Sequence, residues 1–234
     1  MHRSWSVFDF ILIWLGGVLG TGIFFALGVA IGDEDLLVLL GLAGQYIGNL
    51  GVFFLLARMR DERGVGFEIQ PGDFGYIALG LVLQIAMAVL VAPLAELLFP
   101  DGQPAQEVAD AIANADSTML VVGFIVAAVI LAPVTEELMF RGVLLQALEP
   151  RGKRLALIVS ALVFSLVHLL GVDYTRFWQS AAVIIPPIFL LGLVLGWLTQ
   201  RNGRLGPAIF LHSGWNLLAA FVLLLPPELF EQVS

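Results

Sequence analysis

The stretch Thr118-Met-Leu-Val-Val-Gly-Phe-Ile-Val-Ala-Ala-Val-Ile-Leu-Ala-Pro133-Val-Thr-Glu136-Glu137-Leu-Met-Phe-Arg141 is uncharged for 18 residues and then carries three charges within one and a half helical turns. An apolar run of about 20 residues is what a helix needs to cross a hydrocarbon layer about 30 Å thick. Apolar sequence continues to residue 149, too far for one straight span. Pro133 removes a backbone donor and crowds the preceding turn, so a kink or break is expected there.

Six further stretches read the same way: 7–31, 36–57, 74–99, 154–171, 179–200 and 205–225. The sequence thus predicts an all-α, polytopic transmembrane bundle of about seven spans, with the fourth kinked at Pro133. Residues 1–234 form a single integral-membrane domain. The first stretch is too long for a secretory signal, carries Asp9 and lacks a convincing cleavage site, so it is read as a retained helix. Composition agrees: 59% of the 234 residues are hydrophobic and 13% charged, and mean hydropathy is +0.96. Soluble domains average about 45–50% apolar and about 25% charged. There is no cysteine, which excludes disulfides, thiolate metal sites and a cysteine nucleophile. The net charge of −8 offers no basic patch for nucleic acid.

Alternate loops differ in sign. Arg3, Arg58, Arg60, Arg63, Arg151, Lys153, Arg154, Arg201 and Arg204 fall on one side, nine of the eleven basic residues. Asp33, Glu34, Asp35, the acidic segment 100–117, Glu228 and Glu231 fall on the other, with Arg176. Basic loops face the cytoplasm, so the N-terminus is expected inside and the C-terminus outside. Arginine-rich, lysine-poor usage suggests a prokaryotic cell membrane. Small-residue pairs at Gly16/Gly20, Gly28/Gly32, Gly44/Gly48 and Gly192/Gly196 predict close helix packing. Gln45 and Asn49 share a face of the second span, and Gln84 lies in the third; interhelical hydrogen bonds are the expectation for these.

Ionisable groups at membrane depth mark functional sites. Asp9 and Glu96 sit near span ends and are discounted. Glu137 and Arg141 are four apart, acid first, the favourable order for an ion pair. Glu136 points about 100° away, without a local cation, as suits a general base. A purely structural ion network is the competing account. In the fifth span stands Phe164-x-x-x-His168. If the fourth and fifth spans form a hairpin centred near residue 151, Glu136 and His168 stand level to within about 3 Å. In the last span His212 and Asn216 share a face and can supply two hydrogen bonds to an oxyanion.

Glu136-Glu137-x-x-x-Arg141, Phe164-x-x-x-His168 and His212-x-x-x-Asn216, in this order on three spans, resemble the CPBP family of intramembrane proteases, which includes the Rce1-type CaaX prenyl endopeptidases. Gly192-Leu-Val-Leu-Gly196-Trp and Gly203-Arg-Leu-Gly-Pro-Ala-Ile-Phe-Leu-His212 add to the likeness, which covers a catalytic core at 117–225. The resemblance implies an endopeptidase, hydrolysing a peptide bond of a membrane-embedded or prenylated substrate. It makes Glu136 and His168 the water-activating pair, His212 and Asn216 the oxyanion donors, and Glu137, Arg141 and Phe164 supporting residues. No cofactor is then required. In the metalloprotease version of the family a divalent metal such as zinc would take Glu136, His168 and His212, the three protein ligands usual at a catalytic zinc. Two other functions compete: a non-catalytic immunity or scaffold protein of the same fold, and a small transporter, for which no inverted repeat is visible. Lipid is the one sure partner; nothing in the sequence fixes an oligomeric state.

Overall fold

The computed structural model describes residues 5–60, 64–100, 117–172 and 174–223. Among these every element is helical. We label α1 Val7–Ile31, α2 Glu34–Arg60, α3 Gly75–Leu98, α4 Thr118–Arg151, α5 Lys153–Val167, α6 Phe177–Asn202 and α7 Gly206–Leu223. Six of the described helices are long and apolar enough to cross a membrane. The chain is an integral membrane bundle, and the expected spans agree with the helices to within a few residues. Arg3, Arg63, most of the acidic segment 100–117, and the tail with Glu228 and Glu231 lie outside the described residues.

Glycine sets the closest helix contacts. A Cβ on Gly20 would stand 2.0 Å from the Gly44 carbonyl oxygen, and one on Gly48 would stand 2.0 Å from that of Gly16. The expected small-residue seam therefore joins α1 to α2. Gly192 meets Ala161 and Gly196 meets Leu157, which seats α6 on α5. Gly32 differs from the packing expectation: nothing lies near it, and at φ +78° it ends α1 in the left-handed conformation glycine adopts readily. Asp9 is buried because it closes a capping box with Ser6 at the start of α1. Asn49 is buried against Gly17, but its Oδ1 has no hydrogen-bond partner. Gln45 is exposed, so the two amides do not act as one polar face. Gln84 likewise has an unpartnered buried Oε1.

Pro133 does not break α4. A five-residue π-helical turn, Ala127–Leu131, immediately precedes the short α segment Ala132–Glu137 that holds the proline. The wider turn carries the helix past a residue with no N–H. A second π segment, Leu138–Leu145, follows and is buried throughout. Pro186 and Pro187 are likewise accommodated within α6.

The hairpin turn lies where expected: Glu149–Arg151 tighten into a 3-10 turn and Gly152, at φ +125°, reverses the chain. Across this hairpin the Ser160 hydroxyl donates to the Phe140 carbonyl at 3.2 Å, and the Phe140 and Phe164 rings meet edge to face at 5.0 Å. Phe10 of α1 reaches the other edge of Phe140, at 5.1 Å.

α7 is held by α3. A Cβ on Gly80 would lie 2.1 Å from the Leu211 carbonyl oxygen, and one on Gly214 would lie 2.2 Å from that of Ile77, so the two backbones touch on both sides of His212. At the end of this contact Asp73 grips Arg204 through both guanidinium nitrogens. The Leu205 and Gly206 amides donate to the Gly66 and Glu68 carbonyls at 2.8 and 3.2 Å. The loop before α3 thereby sets where α7 begins.

Candidate active site

Glu137 is the centre of the polar cluster. Its Oε1 accepts a hydrogen bond from Arg141 Nη1 at 2.8 Å and another from His212 Nδ1 at 2.9 Å. Glu137 and Arg141 are both wholly buried, and His212 is 2% exposed. Arg141 Nη2 donates to the Gly192 carbonyl at 3.2 Å, and its guanidinium lies 4.4 Å from the centroid of the Phe164 ring, close enough for cation–π attraction. The i,i+4 pair read from the sequence is therefore present. Its link to α7, 75 residues away, is not visible in sequence spacing.

Glu136, one residue earlier, points away from this pair and remains 29% exposed. Its Oε2 faces His212 Nε2 at 3.8 Å and has no hydrogen-bond partner. That gap is too long for a direct hydrogen bond and suits a small polar group bridging the two atoms. The three charged residues of α4 and His212 of α7 thus converge.

Both imidazoles have their tautomer set by their neighbours. His168 Nδ1 is 2.7 Å from the Phe164 carbonyl, and a carbonyl only accepts, so Nδ1 carries the proton. His212 Nδ1 faces the Arg141-paired Glu137 carboxylate and donates to it. Neutral His168 then offers an Nε2 lone pair, whereas His212, held through Nδ1–H, offers Nε2 as an acceptor when neutral and as a donor when it is the imidazolium. His168 caps the C-terminal end of α5. Its ring packs edge to face on Phe164 at 4.8 Å, while His212 packs on the same ring at 5.7 Å. Phe140 meets Phe164 across the hairpin, and one turn further out on each arm stand Glu136 and His168. The hairpin register therefore sets these two at the same level, although no ion pair joins them.

Asn216 donates from Nδ2 to the Ala128 carbonyl at 2.8 Å, which leaves its second amide proton for another acceptor. Phe164, wholly buried, separates Arg141 from His168. One residue near the site escaped sequence reasoning: Tyr46 of α2 lies within electrostatic reach of Glu136. A lone tyrosine in an apolar helix carries no signal of such a neighbour.

Among the described residues, no group of three or more His, Asp or Glu side chains is placed to hold a metal ion. In the trio Glu136, His168 and His212, the Nδ1 atoms are committed to Phe164 and Glu137. That commitment leaves both Nε2 atoms available, as in zinc-bound histidines; the three side chains are not grouped as a metal site among the described residues, and no step below passes through a metal.

Residues 118–218 match the family model of the Rce1-like proteins, described as type II CAAX prenyl endopeptidase Rce1-like. The matched segment runs from α4 into α7 and contains every residue of the polar cluster. The match agrees with the family that the motifs resemble, whose description is of endopeptidases. No curated protein and no solved structure matches the chain.

Proposed function

We propose that the protein is an intramembrane endopeptidase that cuts a membrane-associated or prenylated peptide by direct attack of water. The observation that carries this reading is the unpartnered Glu136 Oε2 facing His212 Nε2 at 3.8 Å, inside an otherwise apolar bundle. Glu136 takes a proton from the attacking water as general base. His168, with its Nδ1–H fixed by Phe164, offers Nε2 to orient that water, then takes the proton from Glu136 on Nε2 and passes it to the leaving amine, which restores both groups. His212 as an imidazolium presents Nε2–H to the tetrahedral oxyanion, and Glu137 on Nδ1 offsets the charge it carries, as a buried carboxylate does for the histidine of a hydrolase triad. The second amide proton of Asn216 is the other oxyanion donor. Arg141 neutralises Glu137 and ties it to α6 through Gly192. The basic loops favour an N-terminus in the cytoplasm and a C-terminus outside.

The test is cleavage of an internally quenched farnesylated CaaX-type peptide by the purified, bilayer-reconstituted protein. Comparative membrane proteomics of cells carrying wild type or Glu136→Ala tests other substrates. Precursors that accumulate only with the variant are expected. Equal cleavage by wild type and Glu136→Ala overturns the role given to Glu136, and no processing by wild type in either assay leaves a scaffold or immunity role.

A further inference from the structure

The contact between Asn216 and Ala128 has a backbone cause. In the π turn Ala127–Leu131 the Ala132 N–H donates to the Ala127 carbonyl, so the usual i+4 donor is lost to Ala128. The i+5 donor of a π turn would come from residue 133, which is proline and has no N–H. The Ala128 carbonyl is therefore orphaned by the helix itself. In a lipid-embedded span an unpaired backbone group is costly, and water is not at hand. Asn216 Nδ2 supplies the missing donor at 2.8 Å from a helix 88 residues away. Three residues beyond Pro133 stands Glu136, at the end of the same short α segment.

We infer that Asn216 is a positioning residue: by capping the carbonyl that Pro133 orphans, it holds the π turn that aims Glu136 at His212. This role is additional to any hydrogen bond its second proton makes, and it rests on Glu136 being the base. It explains why an amide is needed at this position even before substrate binds.

The test is a double-mutant cycle on the full-length reconstituted protein. Pro133→Ala restores an N–H beside the orphaned carbonyl, so it should make Asn216 dispensable. In the wild-type background Asn216→Ala is expected to lower the melting temperature and to cut peptide cleavage at least roughly tenfold; in the Pro133→Ala background the melting loss should largely vanish and the cleavage loss should shrink to the part owed to the oxyanion bond. The acid limb of the kcat profile should also move in Asn216→Ala alone, because the aim of the base has changed; loss of a pure oxyanion donor leaves that limb in place. A melting temperature that shows no coupling between the two positions, or an acid limb that Asn216→Ala leaves in place, overturns the inference. Should Pro133→Ala be inactive by itself, the melting cycle and the acid limb of Asn216→Ala still decide. A wild type that cleaves nothing would sink the peptidase reading while the melting cycle went on testing the cap.

Discussion

Arg141 and His212 donate to the same oxygen of Glu137, at 2.8 and 2.9 Å. One carboxylate therefore neutralises a cation on its own helix and fixes the ring of a histidine brought in from α7. Removing it would strand Arg141 in a wholly buried site. Breaking a buried pair by deleting one partner costs about 3–5 kcal/mol. Glu137→Ala is expected to lose stability on that scale and to lose cleavage, measured by thermal unfolding in detergent and by peptide turnover. Unaltered melting would show that the cluster does not hold α4 to α7.

Glu136 should behave in the opposite way. Its inward oxygen makes no hydrogen bond, so Glu136→Gln removes little that holds the fold. The substitution is expected to leave the melting temperature near that of wild type while cutting kcat by about 10²–10⁴-fold, the usual worth of a general base. The two neighbouring glutamates are thus separable by experiment: one loses stability and activity, the other activity alone.

How much of this was open to sequence reading follows from what each feature depends on. The spans depend on local hydropathy, and their limits were legible. The Glu137–Arg141 pair depends on helical spacing and was legible too. The hairpin register depends on one turn, and Gly152 and its neighbours gave it away. Pro133 announced a disturbance but not its form, because a π turn leaves the apolar pattern nearly unchanged. The partners that complete the site, His212 on Glu137 and Asn216 on Ala128, come from α7. Only the stacking of α7 on α3 puts them in place, and spacing along the chain carries no record of it.

That stacking gives a third prediction. Gly80→Val puts branched carbon where the Leu211 carbonyl now lies and should push α7 outward. Overpacking of this kind costs about 1–3 kcal/mol, and because it moves His212 the loss of cleavage should exceed what the melting temperature suggests. Gly51→Ala is the control, since nothing lies within 4 Å of a Cβ there, and it should match wild type in both assays.

The grip of Asp73 on Arg204 fixes the start of α7. Asp73 is 1% exposed and Arg204 15%. Arg204→Ala leaves a buried carboxylate without its cation, and a destabilisation of about 3 kcal/mol is expected. The exchange Asp73→Arg with Arg204→Asp should recover part of it. No recovery would mean that the backbone bonds of Leu205 and Gly206, and not the charges, set this junction.

Chelation separates the two chemistries that the motif residues allow. With Glu136, His168 and His212 not grouped as a metal site among the described residues, o-phenanthroline is expected to leave peptide cleavage unchanged. Activity lost to the chelator and regained with zinc would require the side chains of Glu136, His168 and His212 to regroup around an ion.

Phe164 has an effect of its own. Its ring takes the Arg141 guanidinium and the edges of two imidazoles, yet brings no proton and no net charge. It works as a washer, filling the small volume between a fixed cation and two imidazole rings without adding charge of its own, while the polar link between Arg141 and His212 runs through Glu137. Replacing that washer with an aliphatic side chain of similar bulk would keep the volume filled and remove the electron-rich surface on which the guanidinium rests.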